Sequence, residues 1–272
     1  MMTRSKLHFV IGQKDPESDE IVRIIRSKGL GRVTYAQFKG TAVGPRTAYE
    51  ADPITRSDDE LIILIECRPN GVNLDETVVL IDHHHPGDPG WDASPNEYWR
   101  GSSLGQFMNL LELPANRRQR ALAAMDHCFA AALHGECPGA PRSVVLQIKI
   151  DEIARAHETS SWKVRRLIRA HRRRLSLCDS VSIGPGRAMD YRETDLGEGY
   201  SLDVLTAQVA AALQERAVLL SHSDPGGRKK VTLTGLVAPA MVRAFVSRWG
   251  VERGLTDLYG VPERGYAGGY LR

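Results

Sequence analysis

The 272-residue chain is poor in aromatics (6%), and its four cysteines, Cys67, Cys128, Cys137 and Cys178, form no CxxC pair. Cysteines so dispersed read as small buried residues of a reducing compartment. No apolar run approaches the roughly 20 residues that span a bilayer. The polar opening residues lack a signal-peptide pattern, so a cytoplasmic protein with no membrane partner is expected. Internal repeats and biased tracts are absent, and a net charge of +3 is too small to name a partner by bulk electrostatics. With 42% hydrophobic and 25% charged residues, the chain reads as a soluble globular protein of one large domain or two ordinary ones.

What is present is organised around Val79-Leu80-Ile81-Asp82-His83-His84-His85-Pro86-Gly87-Asp88, where an apolar run stops at an acid and three histidines before a Pro-Gly turn. Two other apolar runs end in the same way. Residues 7–12 (LHFVIG) lead into a polar, acidic loop at 13–19 (QKDPESD). A helix is expected over 20–27, capped by Ser18 or Asp19, with Ile21, Ile24 and Ile25 on one face. Residues 61–65 (LIILI) are continuously apolar, as in strands covered on both faces, and end at Glu66; 77–81 (TVVLI) end at Asp82. Residues 32–38 are a further candidate strand. The pattern predicts an α/β fold: a mainly parallel N-terminal sheet flanked by helices, with a site at the strands' carboxyl ends.

Helices are expected over 102–113 and 117–133, and 144–156 reads as helical or mixed. Residues 161–175 (SWKVRRLIRAHRRRL) form a basic helix, either a solvated connector or a helix that tracks nucleic acid. From 202 the pattern restarts: helix 202–216, strand 217–222, a turn at 224–227, strand 230–234, helix 239–249 and a Gly-rich close. The expected layout is a site-bearing domain over 1–160, a basic connector over 161–180 and a smaller α/β domain over 181–272.

Hard divalent cations prefer carboxylate oxygens, and borderline ones such as Mn²⁺ also accept imidazole nitrogen. Asp15, Glu17 and Asp19, then Glu66, then Asp82, His83 and His84 stand at the ends of the three runs. Asp126, beside His127, lies on an otherwise largely apolar helix, where a buried acid needs a partner. At these residues the chain resembles the DHH phosphoesterase superfamily, which includes RecJ-like nucleases, nanoRNases, cyclic dinucleotide phosphodiesterases and family II pyrophosphatases. Ile81-Asp82-His83-His84 matches its Asp-His-His signature, and Gly12-Gln13-Lys14-Asp15-Pro16-Glu17-Ser18-Asp19 resembles its Gly-His-x-x-Pro-Asp-x-Asp opening. Glu66 and Asp126 occupy the places of its second and helical acids. Ser102 and Ser103 stand where it carries small hydroxyl residues, and Arg264-Gly265-Tyr266-Ala267-Gly268-Gly269 is a loose counterpart of its closing loop.

The resemblance implies one or two Mn²⁺ or Mg²⁺ ions held among Gln13, Glu17, Asp19, Glu66, Asp82, His83 and Asp126. His84 and Asp82 would be catalytic, and Ser102, Ser103, Arg264, Gly265, Gly268 and Gly269 would contact substrate. It implies a metal-dependent phosphohydrolase for a small phosphoester, a short oligonucleotide or dinucleotide, with a homodimer compatible. The family's first-site His and Asp are replaced by Gln13 and Glu17, and its bridging Asp by Glu66. Asp19, Glu66, His83 and Asp126 form the better-kept second site. Three readings stay open: a hydrolase, a relative that binds a nucleotide or nucleic acid without cleaving it, and a pyrophosphatase.

Overall fold

The computed structural model describes residues 6–44, 47–55, 57, 59–194, 196–197, 201–224 and 226–272. The polar opening residues, Gly199 and Pro225 of the expected 224–227 turn lie outside them. The chain is α/β and divides into two compact units, Met1–His127 and Cys128–Arg272.

The first unit is built on four parallel strands: β1 (Lys6–Ile11), β2 (Arg32–Tyr35), β5 (Glu60–Ile65) and β6 (Val78–Ile81), in the order β2-β1-β5-β6. A two-stranded ribbon, β3 (Gln37–Phe38) and β4 (Thr41–Ala42), precedes β5. Continuous apolar runs suit these strands because both sheet faces are covered. Val10, Ile62 and Leu64 pack on one side with Ala36, Val43 and Ala48. The alternating neighbours face the other way, where Phe9 meets Phe107 edge-on at 5.9 Å.

Register sets the three strand ends level. Ile11 pairs with Ile65, and Ile65 with Ile81. The pairing runs one residue further, the Gly12 N–H donating to the Ile65 carbonyl at 2.8 Å and the Glu66 N–H to the Ile81 carbonyl at 2.9 Å. Strand order reverses between β1 and β5, and in open parallel sheets the crevice at such a switch point is where ligands bind. Gly12 is required here: a Cβ on it would lie 2.1 Å from the Glu66 carbonyl oxygen. Gly12→Ala is therefore expected to cost about 1–3 kcal/mol, read as a lowered denaturation midpoint. An unchanged midpoint would contradict this close approach.

The helix after β1 begins earlier than expected. α1 (Pro16–Lys28) has Asp15 as its N-cap, not Ser18 or Asp19. Asp15 Oδ1 accepts the Ser18 N–H at 2.7 Å, the Ser18 hydroxyl accepts the Asp15 N–H at 2.9 Å, and Pro16 takes the first turn, where its missing N–H costs nothing. Glu17 and Asp19 are thus helical residues two apart, about 200° around the axis. Next come α2 (Tyr98–Gly101), α3 (Ser103–Leu110) and α4 (Arg117–His134). The single helix expected at 117–133 is broken at Cys128, whose backbone is extended (φ −156°), at the division between the units.

The second unit contains α5 (Arg142–Ala156), α6 (Ser161–Leu175), β7 (Ser180–Ile183), β8 (Gly186–Asp190), α7 (Leu202–Ala212), β9 (Ala217–Ser223), β10 (Lys229–Gly235), α8 (Pro239–Ala244), β11 (Thr256–Val261) and β12 (Tyr266–Tyr270). Its mixed sheet runs β11-β12-β10-β9-β8-β7, with β8 and β9 the parallel pair. Alternation on β9 feeds two cores. Val218 and Leu220 join Ile153, Val164, Ile168 and Val204, while Ala217 and Leu219 join Val242 and Phe245.

Two expectations about layout differ from this. The basic helix is a core element of the second unit, since its Val164, Ile168 and Leu175 are buried with residues of α5 and α7. Compactness divides the chain at residues 127 and 128, ahead of the expected boundary at 160, and makes the second unit the longer one. The Gly-rich close is also not a loop. Gly268 and Gly269 sit in β12, where a Cβ would come within 2.2 Å of the Tyr259 hydroxyl and 2.7 Å of Leu258. No helix among the described residues is long and apolar enough to cross a membrane. Cys67, Cys128 and Cys137 are buried and Cys178 is partly exposed.

Candidate metal centre

Four side chains from four elements meet at the carboxyl edge of the parallel sheet. Glu17 comes from the first turn of α1, Glu66 from the end of β5, His83 from just after β6 and Asp126 from α4. Each offers a ligand atom lying within 4.8 Å of the other three, and His84 makes a second such group with Glu66 and His83. His83 Nε2 is 3.1 Å from Asp126 Oδ2 and 3.6 Å from Glu66 Oε1. Glu17 Oε1 accepts the Leu104 N–H at 3.1 Å, at the N-terminal turn of α3. Glu17 Oε2 and Glu66 Oε1 are buried with no hydrogen-bond donor among the described residues. An ionised carboxylate oxygen left in that state is costly unless a cation or proton meets it.

Glu66 reaches this position through a left-handed backbone (φ 54°), a conformation that costs a residue with a Cβ on the order of 1 kcal/mol. It lets the chain turn out of β5 while its carboxylate points back over the sheet edge.

The electrostatics describe a crowded pocket in which several carboxylates face two imidazoles. Burial, then the charges of Asp126, Glu66 and Asp15, push the Glu17 carboxyl well above the usual range. Burial, then Glu66 and Asp126, do the same to Asp15. Burial alone would lower His83, but the Asp126 and Glu66 carboxylates beside it outweigh this and raise it. Burial disfavours the Asp126 anion too, yet His83, with His84 and Glu17, holds its carboxyl below the usual range.

The tautomer of His83 follows from its other nitrogen. His127 Nε2 lies 2.9 Å from the Ala93 carbonyl, which only accepts, so that nitrogen carries a proton. Neutral His127 then accepts through Nδ1, and His83 Nδ1, 3.0 Å away, donates to it. His83 Nε2 therefore faces the carboxylates, the nitrogen that would meet a metal once its proton is displaced. His127→Phe keeps the bulk and removes this support. It is expected to weaken Mn²⁺ binding about 10- to 100-fold by calorimetry, and an unchanged affinity would remove His127 from the site.

Asp82, by contrast, is not among the converging ligands. Its Oδ1 accepts the backbone N–H of His83 at 2.7 Å and of His84 at 3.1 Å and pairs with His84 Nδ1 at 2.9 Å. Its Oδ2 accepts the Tyr49 hydroxyl, which also bonds Asp88 Oδ2 at 2.9 Å. These hydrogen bonds, with His84 foremost, keep Asp82 below the usual carboxylate range against its burial. In return His84, which burial alone would lower, is pushed up to about 9, chiefly by Asp82 and Glu66. Asp82 is the organiser of the loop rather than a ligand.

The remaining expected residues separate. Asp19 is exposed and outside the group, because the early start of α1 turns it away from Glu17. Gln13 is half-buried and makes no side-chain hydrogen bond among the described residues. Ser102 spends its hydroxyl as the N-cap of α3, accepting the Gly105 N–H at 3.1 Å, whereas the Ser103 hydroxyl is buried without a partner. Arg264, Gly265, Gly268 and Gly269 belong to the second unit. Sequence reasoning missed Tyr49 and left His127 as structural. The adjacency of His127 to Asp126 on one helix was a usable signal, since neighbours about 100° apart can border one pocket. Nothing in the sequence marked Tyr49.

Fold and site together define an α/β protein with a carboxylate–imidazole centre suited to a divalent cation at the switch point of a parallel sheet. No family model matches the chain, and no curated protein matches it either.

Proposed function

We propose that the chain is a divalent-metal-dependent phosphohydrolase of the DHH kind, acting on a short oligonucleotide or dinucleotide. The observation that supports this is the convergence of Glu17, Glu66, His83 and Asp126 with two buried carboxylate oxygens lacking donors. Three carboxylates and one neutral imidazole suit Mn²⁺ over Mg²⁺, because imidazole is a poor partner for the harder ion. They form a single centre, which favours one ion over two. When bound, such an ion stabilises charge on phosphoryl oxygens and promotes ionisation of water.

The chain's own residues supply the rest. Water adds to phosphorus and gives up a proton to solvent, the P–O bond to the leaving alcohol breaks, and the alkoxide takes a proton. His84, oriented by Asp82 through Nδ1 and protonated at neutral pH, donates that proton or bonds the phosphoryl oxygen. Asp82 thereby acts as a positioning residue. Ser103, with its unpartnered hydroxyl, is the better candidate of the two serines for a substrate contact.

A second reading is a binder that does not cleave. It is favoured by the exposure of Asp19 and by Gln13 standing in place of an imidazole. Hydrolysis of a diadenylate, an oligonucleotide and pyrophosphate is to be measured with Mn²⁺ and Mg²⁺, alongside calorimetric metal binding. Turnover of a phosphodiester that depends on Mn²⁺ is expected. Metal binding without turnover of any substrate would support the binder, turnover of pyrophosphate alone would support a pyrophosphatase, and no metal binding would overturn the proposal.

A further inference from the structure

The most strongly charged element of the chain is α6, which lies outside the metal-centre unit and has no part in the chemistry proposed above. Between Ser161 and Leu175 it carries Lys163, Arg165, Arg166, Arg169, Arg172, Arg173 and Arg174 and no acidic residue. Its buried side is settled: Val164, Ile168, His171 and Leu175 are in the interior. At about 100° per residue, Trp162, Arg166, Arg169 and Arg173 fall within roughly 60° of one another on the side opposite that stripe. Lys163 and Arg172 flank them.

These cations are not neutralised at home. Arg165 is engaged by Gln147, and Arg174 lies beside Tyr191. Lys163, Arg166, Arg169, Arg172 and Arg173 make no ion pair with a carboxylate among the described residues. Exposed arginines on ordinary helices acquire acidic partners at i±3 or i±4, as Arg23 does with Glu20 and Arg248 with Glu252. On α6 the spacing offers no carboxylate. At the head of the stripe Trp162 is 62% exposed, and the Arg166 guanidinium lies 5.4 Å from the centre of its ring. A large indole left in water beside an arginine is a stacking platform with one cationic edge.

We propose that this face of α6 binds single-stranded nucleic acid, its arginines tracking the phosphates and Trp162 stacking on a base. The chemistry chooses among polyanions. From Trp162 to Arg173 the helix rises about 16 Å, the length of a few successive phosphates of one strand. A duplex hides its base faces and leaves Trp162 without a partner. An anionic membrane needs an apolar face to insert, and Val164, Ile168 and Leu175 are buried in the core, which leaves Trp162 alone on the basic side. The inference is independent of the catalytic reading, because it concerns binding and requires no metal.

The test is fluorescence anisotropy of the full chain in EDTA with labelled single-stranded DNA and RNA of about 12 nucleotides, a length within single-strand site sizes. Binding is expected to weaken with salt, with a log–log slope steeper than about −2, the value for three phosphates. The triple variant Arg166→Gln, Arg169→Gln, Arg173→Gln should lose at least about tenfold in affinity and flatten that slope by about 2. Trp162→Ala should lose about tenfold for the oligonucleotide while leaving binding of inorganic polyphosphate unchanged. These side chains are outside the core, and an unchanged circular dichroism melt confirms that each variant is folded. Absence of oligonucleotide binding, affinity indifferent to both variants, or binding of phosphatidylserine vesicles without oligonucleotide would each overturn the proposal.

Discussion

Glu17→Gln is expected to stabilise the metal-free protein while abolishing its affinity for Mn²⁺, two effects of opposite sign from one atom. The amide keeps an acceptor for the Leu104 N–H, which Glu17 Oε1 satisfies at 3.1 Å, so the start of α3 is undisturbed. What changes is Oε2, a buried oxygen with no donor, which becomes an NH₂ group able to donate to a neighbouring carboxylate. A ligand is lost, and metal affinity should fall at least about 100-fold, since an amide is a weak, neutral ligand. Repulsion from Asp126, Glu66 and Asp15, which with burial raises the Glu17 pKa, is lost as well. A gain of about 1 kcal/mol would raise the midpoint by roughly 2–4 °C.

The pH dependence has a definite sign. Asp15 and Glu17 have folded-state values above their unfolded values near 4, so their contribution is full below about pH 4 and is lost as pH climbs through the raised values. His83 and His84 are raised too, so what they add is full below about 6.5 and is lost above it, for His84 through about 9. Asp126 and His8 are lowered, but they act below about pH 4 and pH 6.5 respectively. Between about pH 7 and 9 the metal-free first unit should therefore lose stability as pH rises. Mn²⁺ should restore it. Thermal melts at pH 7 and 9, with EDTA or Mn²⁺, check this. A wild-type protein more stable at pH 9 in EDTA would exclude a crowded anionic centre.

Asp82→Asn should separate the organiser from the ligands. The amide oxygen still accepts the N–H groups of His83 and His84, so the loop is expected to hold and the Mn²⁺ Kd to stay within about threefold. His84 loses the carboxylate that chiefly keeps it charged at neutral pH. If His84 is the proton donor, kcat should fall by about 10²- to 10⁴-fold, the range seen when a catalytic histidine loses its proton or its orienting acid. The alkaline limb of the pH–rate profile should move to lower pH. A parallel loss of Mn²⁺ binding and turnover would place Asp82 among the ligands instead. Asp82→Ala is the poorer test. It would take one acceptor from the Tyr49 hydroxyl and leave the backbone N–H groups of His83 and His84 unmet, costing about 1–3 kcal/mol for each unmet group.

Much of the fold was legible before any coordinates. Continuous apolar runs such as 61–65 have no polar face, so they must be covered on both sides, and that requirement by itself implies a parallel sheet under helices. An acid at the end of each run then places a site at one edge. Glu17, Glu66 and His83 were accordingly identified from sequence, Asp126 was identified as an acid on a largely apolar helix, and the four are brought together in space. The boundaries were less legible. Ser161–Leu175 reads as a connector because seven of its 15 residues are Lys or Arg, yet four buried positions at helical spacing suffice to make it part of a core.

By itself, then, the sequence determined the α/β class, the parallel strands and the polar edge at which they end, because hydrophobic periodicity and strand-end chemistry are local properties. Tertiary structure alone decided which edge residues form the centre. The capping box at Asp15 and Ser18 starts α1 at Pro16, and that phase turns Glu17 inward and Asp19 out to solvent. Strand register sets Gly12, Glu66 and Asp82 level, and long-range bonds from Tyr49 and His127 assign Asp82 to the loop and turn His83 Nε2 toward the carboxylates. Helical phase, register and second-sphere hydrogen bonds depend on residues dozens of positions apart, and no local pattern in a single sequence records which of them meet.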